Sequence, residues 1–195
     1  MRLGIVSDTH DDLAAVEATV DLFESRDVDT VVHCGDFVAP FSVTPFDADF
    51  AFHAVRGNND GEWAVESTVD SFGRYHGEAG TLTLDPDHPN REPVEVAVVH
   101  GTSGIVVDAL VGCAEYDYVF HGHTHAHGVE ARDGTVRVNP GGLPIPVDGA
   151  DDAFHVATLD TADSGVDAVT HHRLDVGDRR GRVGRADRTE ANDTY

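Results

Sequence analysis

The apolar residues of this chain come in short runs, and each run stops abruptly at an aspartate, an asparagine or a histidine. Residues 2–7 stop at Asp8-Thr9-His10, and residues 30–34 stop at Gly35-Asp36. Residues 50–55 stop at Arg56-Gly57-Asn58-Asn59-Asp60-Gly61, and residues 93–99 at His100-Gly101. Residues 118–120 run into His121-Gly122-His123-Thr124-His125-Ala126-His127. Short apolar runs bounded by turn formers suit strands buried in a sheet. Between the first two, Leu13, Val16, Val20 and Phe23 recur at spacings of three and four, which predicts an amphipathic helix capped by Asp11 or Asp12. Strand, helix, strand implies a parallel pair with a right-handed crossover. It brings Asp8, His10 and Asp36 to the carboxyl edge of one sheet, where open α/β sheets hold their ligands.

The remaining pattern is less regular. Residues 37–50 read as a loop or short helix, and Trp63, Val65 and Val69 as a short irregular helix. Residues 81–84 and 93–99 read as a hairpin whose loop holds Pro86 and Pro89. Ser103 is expected to cap a helix with Ile105, Val106, Ala109, Leu110 and Cys113 on its apolar face. Asp133-Gly134 marks a second hairpin, between residues 128–131 and 135–138. A third spans residues 153–159 and 166–172. In the histidine segment, four imidazoles fall at period two, and an extended chain would aim alternate side chains at one point. Imidazole is the commonest metal ligand among side chains; the plain alternative is a solvated histidine-rich loop.

With 195 residues the expectation is one domain over residues 1–174, followed by a polar, disordered tail over 175–195. Asp and Glu number 36 against 13 Arg and no Lys, a formal charge of −23 spread along the chain. Such self-repulsion opposes a compact state in dilute salt and is screened in molar salt. The inference is a protein built for a salt-rich cytoplasm, as in a halophilic archaeon. The same charge makes nucleic acid an unfavoured partner, an argument that screening weakens. No apolar run is long enough for a bilayer, and Met1 leads directly into a strand; no membrane association, no signal peptide and a cytoplasmic location are expected. Cys34 and Cys113 are expected to be reduced core residues.

Taken together, Asp8-Thr9-His10, Gly35-Asp36, Gly57-Asn58-Asn59-Asp60, His100-Gly101 and Gly122-His123-Thr124-His125 resemble the ordered motifs of the calcineurin-like metallophosphoesterases. The match is to the small single-domain branch of YfcE-like and Vps29-like proteins, over residues 1 to about 172. The resemblance implies a four-layer α/β/β/α sandwich of two mixed sheets, and two divalent metal ions bridged by Asp36. Asp8, His10 and His125 would complete one site; Asn58, His100 and His123 would complete the other. Mixed imidazole, carboxylate and amide donors suit Mn²⁺, Fe, Zn²⁺ or Ni²⁺ better than Mg²⁺ or Ca²⁺, and Mn²⁺ is the metal expected. The implied activity is a metal-dependent phosphodiesterase acting on a small phosphoester through a hydroxide shared by the two ions. The alternatives are a Vps29-like interaction scaffold, or a nuclease or cyclic-nucleotide phosphodiesterase. A homodimer or homotetramer is the oligomeric form the family suggests.

One departure stands out. Many relatives carry histidine directly after the motif asparagine, where it assists the leaving group; here that position is Asn59, which can hydrogen-bond but not release a proton. Arg56 and His127 are the candidate substrate contacts, with His121 a second candidate donor. His33 and His53 read as satisfied core histidines, and His76, His88, His155, His171 and His172 as surface. Asn139, before Pro140-Gly141, reads as shaping the pocket floor.

Overall fold

The computed structural model describes residues 1–61, 63–85, 92–145 and 153–175. Its elements, in chain order, are β1 (Arg2–Val6), α1 (Leu13–Ser25), β2 (Thr30–His33), β3 (Ala51–Ala54), α2 (Trp63–Val69), β4 (Arg74–Tyr75) and β5 (Ala79–Leu84). Then come β6 (Val94–Val99), α3 (Gly104–Gly112), β7 (Tyr118–Phe120), β8 (Gly128–Arg132), β9 (Thr135–Asn139), β10 (Phe154–Asp160) and β11 (Val169–Leu174). Residues 37–50 hold two single 3-10 turns, Pro40–Ser42 and Thr44–Phe46, and a third 3-10 turn spans Gly165–Ala168.

The strands form two mixed sheets, one ordered β11-β10-β1-β2-β3-β4 and the other β5-β6-β7-β9-β8. In the first, β1, β2, β3 and β4 run parallel, and β10 and β11 close the edge antiparallel. In the second, β6, β7 and β9 run parallel between the antiparallel β5 and β8.

Alternation along each strand explains the layers. Leu3 and Ile5 of β1, Val96 and Val98 of β6 and Tyr118 and Phe120 of β7 meet in one core between the two sheets. The opposite parity faces outward: Val6 and Val31 pack with Val16, Val20 and Phe23 of α1 and with Val65 and Val69 of α2. Ala97, Val99 and Val119 pack with Val107 and Val111 of α3. The result is helix, sheet, sheet, helix, as the motif resemblance implied. Gly4 lets α1 lie close, because a Cβ there would stand 2.7 Å from the ring of the fully buried Phe23.

Several expectations need correction. Asp12 is the cap of α1, accepting from Ala15 N at 3.1 Å, while Asp11 accepts instead from Ala39 N and Ser42 Oγ. Leu13 is exposed rather than facing the sheet. Ser103 precedes α3 without a side-chain cap bond. Of the apolar stripe expected for α3, Leu110 packs against the sheet, but Ile105 is 83% exposed and Val107 and Val111 are the buried residues. The helix is apolar nearly all round, so its periodicity does not choose a face. Cys113 is exposed and Cys34 buried, both unpaired. His155 is buried, and His76, His171 and His172 are half-buried, not on the surface. The 86–91 loop with its two prolines, His88 and the expected tail lie outside the described residues, except Asp175. No helix among the described residues is long and apolar enough to cross a membrane.

Candidate metal centre

The carboxyl ends of the parallel strands deliver the motif residues to one point. Asp8 and His10 follow β1, Asp36 follows β2, Asn58 follows β3, His100 follows β6, and His123 and His125 follow β7. Five of these seven, Asp8, His10, Asp36, His123 and His125, have positive φ, between 41° and 69°. That region costs most L-residues about 1–2 kcal/mol. Such strain survives only where the surroundings over-determine it, and it gathers at functional sites.

The approach of the loops depends on two glycines. A Cβ on Gly122 would collide with Ser7 Oγ and the Asp8 carboxylate, and one on Gly57 with the backbone and carboxylate of Asp36. With hydrogen at both positions, the loops after β1, β2, β3 and β7 close on one another.

Within that closure the ligand atoms converge. His125 Nε2 lies 3.4 Å from Asp8 Oδ1 and 3.3 Å from His10 Nε2. His10 Nε2 is 3.9 Å from Asp8 Oδ1 and 3.7 Å from Asp36 Oδ2. His100 Nε2 is 3.4 Å from Asp36 Oδ2 and 3.0 Å from Asn58 Oδ1. Two triads, Asp8–His10–His125 and Asp8–Asp36–His100, each hold their ligand atoms within 4.8 Å of one another, as a divalent ion requires. The His123 ring packs edge-on to His100 at 5.1 Å between centroids, and its backbone N–H donates to Asp8 Oδ2 at 2.9 Å.

Neighbouring groups fix which nitrogen points inward. His100 Nδ1 faces the Cys34 carbonyl at 2.8 Å, and His125 Nδ1 faces the Leu143 carbonyl at 2.7 Å. In its neutral form either ring would carry its proton on Nδ1 and turn the Nε2 lone pair to the centre, the arrangement metal-bound histidines adopt. Asp36 accepts from the backbone and the side chain of Asn59, at 2.8 and 2.7 Å. Burial pushes the Asp36 carboxyl up, but His100 and the two Asn59 donors outweigh it and hold it well below the usual carboxylate range. Burial raises Asp8, against the pull of His100, Ser7 and His125. Burial also pulls His100 down, and the carboxylates of Asp36 and Asp8 more than reverse it.

Among the described residues, Asp8 Oδ1 is the buried side-chain oxygen without a hydrogen-bond partner. An orphaned carboxylate oxygen costs free energy on the order of 1–3 kcal/mol unless a cation meets it. Imidazole lone pairs facing carboxylate and amide oxygens at these distances repel without a cation between them. The donor set thus fits a divalent transition metal, and Asp8 is the carboxylate the two triads share.

The period-two reading of the histidine segment needs correction. His123 and His125 are left-handed, so the chain is not extended there; these two rings line the centre while His121 and His127 turn away from it. His121 is buried and accepts from Arg137 Nε at 3.0 Å. Burial, and then Arg137, pull its pKa down to about 4. His127 is exposed and stacks on His155 at 4.2 Å, so the structure does not bring it to the centre. Arg56 pairs with Glu78 at 3.5 Å beside Asn58 and His100. Asn59 lines the cavity over the centre, with its amide engaged by Asp36. His33 is a satisfied core histidine between Thr9 Oγ1 and Gly35 N, whereas His53 is half-buried and pairs with His76 at 3.0 Å. Asn139 donates to the Gly122 carbonyl and Thr124 Oγ1, bracing the histidine loop.

Asp60 was not singled out by its sequence. It is buried, and its carboxylate accepts four backbone N–H groups, from Asp36, Phe37, Val38 and Gly57. It ties the loops after β2 and β3 together. The available signal was an acidic residue closing the Gly-Asn-Asn-Asp turn.

Comparison with known proteins agrees with this geometry. A calcineurin-like phosphoesterase superfamily domain is matched over residues 1–164. The chain is 32% identical over 152 residues to phosphodiesterase MJ0936 of Methanocaldococcus jannaschii, covering 72% of this chain and 83% of that one. A solved archaeal phosphodiesterase superposes with TM-score 0.75 at 27% identity, over 89% of this chain and all of that one. The fold is shared with YfcE from E. coli, at TM-score 0.60, 22% identity and coverage of 83% and 89%. It is shared too with the zinc complex of Vps29 from Entamoeba histolytica, at TM-score 0.62, 16% identity and coverage of 91% and 100%.

Proposed function

We propose, given that this chain belongs to the calcineurin-like phosphoesterase superfamily, that it hydrolyses a phosphodiester at a centre of two divalent ions held by Asp8, His10, Asp36, Asn58, His100, His123 and His125. The observation that carries this reading is the convergence of three inward imidazole Nε2 atoms on two buried carboxylates, one with an orphaned oxygen. Mn²⁺ is the first candidate metal, and Ni²⁺, Zn²⁺ or Fe also suit the mixed donor set. When bound, such a pair supplies charge neutralisation at phosphorus and a water deprotonated near neutral pH.

The chain's own residues do the rest. Asn59 and His100 keep Asp36 ionised and fixed, so the site need not reorganise as charge develops. The Cys34 and Leu143 carbonyls hold the His100 and His125 rings in one tautomer. Water attacks phosphorus opposite the departing oxygen, a new P–O bond forms and the ester P–O bond breaks. Asn59 can steady that oxygen by a hydrogen bond but offers no proton. The departing oxygen then takes its proton from solvent, so turnover falls as the leaving-group pKa rises. A cytoplasmic location belongs to the same proposal, supported by the unpaired thiols of Cys34 and Cys113.

The test is to strip metal, restore Mn²⁺, Ni²⁺, Zn²⁺ or Mg²⁺ in high salt, and assay phosphomonoesters, phosphodiesters and cyclic nucleotides. Metal-dependent diester hydrolysis, lost in Asp36→Asn, is expected. A metal-replete protein inert toward every ester would overturn the proposal in favour of an interaction scaffold.

A further inference from the structure

Two hollows open on the metal centre, and they meet at Asn58. One, of about 360 Å³, lies over His10, Asp36 and His125 and is walled by Leu143, Pro144 and Ile145. The other, of about 510 Å³, leaves the centre past His100 and is walled by Arg56, Glu78, Thr102, Ser103 and Val106. Thr102 Oγ1 reaches Asn58 Oδ1 at 3.5 Å, so the second hollow begins at the ligand cluster itself. A phosphoester held at the centre has both pockets open to it through Asn58. A monoester would fill one pocket; a diester has an arm for each.

The two walls differ in chemistry. The first is lined beside the candidate ligands by three consecutive apolar residues, which suits an aromatic or alkyl group. The second sets a guanidinium, a carboxylate and two hydroxyls among Ala79, Val99 and Val106. Arg56 Nη1 stands 3.5 Å from Glu78 Oε1, and both side chains reach solvent, 43% and 82% exposed. Ser103 does not spend its hydroxyl on capping α3. A second phosphate would meet Glu78 as a like charge, on a chain already at −23. Donors and acceptors interleaved in this way match vicinal hydroxyls, each of which donates and accepts.

We infer that the substrate is an unsymmetrical phosphodiester, with an apolar arm against Leu143, Pro144 and Ile145 and a hydroxyl-rich, sugar-like arm between Arg56, Glu78, Thr102 and Ser103. The inference rests on the phosphodiesterase reading above and names its substrate class. Glu78 and Ser103 become specificity residues, and Arg56 holds Glu78 toward the sugar arm.

Two measurements on the Mn²⁺-loaded protein test it. In the first, kcat/KM is compared for 4-nitrophenyl phosphate, methyl 4-nitrophenyl phosphate and the 4-nitrophenyl ester of ribose 5-phosphate. The ribose diester is expected to exceed the methyl diester at least fivefold, with the monoester slowest. That ratio should fall toward one in Glu78→Gln and in Arg56→Gln. In the second, calorimetry compares binding of ribose 5-phosphate with methyl phosphate; tighter ribose 5-phosphate binding, weakened in Glu78→Gln, is expected. Equal kcat/KM for the two diesters, unmoved by either substitution, would overturn the assignment of the arms while leaving the hydrolase intact. Failure to hydrolyse any of the three would overturn both readings.

Discussion

Asp60 gathers four backbone amides on one carboxylate and so locks the loop carrying Asp36 to the loop carrying Asn58. In Asp60→Asn one oxygen becomes an amide donor and confronts those N–H groups. The expected cost is about 1–3 kcal/mol, a fall in Tm of about 2–12 °C at the roughly 2–4 °C per kcal/mol of a chain of this size, measured by thermal unfolding of the metal-free protein. An unchanged Tm would show that the clamp is dispensable. This contrast also marks what was legible residue by residue. The clustering of the candidate ligands was readable because each follows an apolar run and has ligand chemistry of its own. The Asp60 clamp was not, because its partners are backbone N–H groups, which no side-chain pattern encodes. The divergence of His121 and His127 was hidden for a related reason: positive φ at His123 and His125 breaks the alternation that residue spacing assumes.

At the scale of elements, strands that end in motifs were recovered within a residue or two. The two-residue β4 was missed, being too short to show any period. In α3 the failure lay in orientation, since a helix with aliphatic residues on every side buries whichever face its sheet dictates. The pairing of β3 with β4 carries a pH signature. Burial first, then His76 and Arg74, pull His53 down to about 4, so it stays neutral in the folded protein where the unfolded chain protonates near 6.5. The unfolded state binds more protons below that value, so this contribution is intact above pH 6.5 and is lost as pH falls toward 4. Tm measured against pH should therefore decline less steeply between 6.5 and 4 in His53→Gln than in the parent. Parallel curves would mean that His53 titrates alike in both states.

For the whole molecule, alternating parallel units followed by antiparallel strands were readable from residue pattern alone. The closing of those strands into two face-to-face sheets was not, and came from motif resemblance. What selects it physically is strand parity: β1, β6, β7 and β10 are apolar on both faces, so each sheet must be covered twice. Net charge acts at this scale too. With −23 on 195 residues, repulsion is felt across the molecule at 0.1 M salt, where the Debye length is about 10 Å, and is confined to contacts near 1 M, where it is about 3 Å. Tm is expected to climb steadily in KCl from 0.1 M to 2 M, and a flat profile would remove the case for a saline habitat. Every functional statement, however, depends on Asp8 and Asp36 holding a pair of cations among the histidines. The direct measurement is Mn²⁺ stoichiometry by calorimetry on metal-stripped protein in 2 M KCl. Two ions per chain are predicted; one ion, or none, would contradict the account.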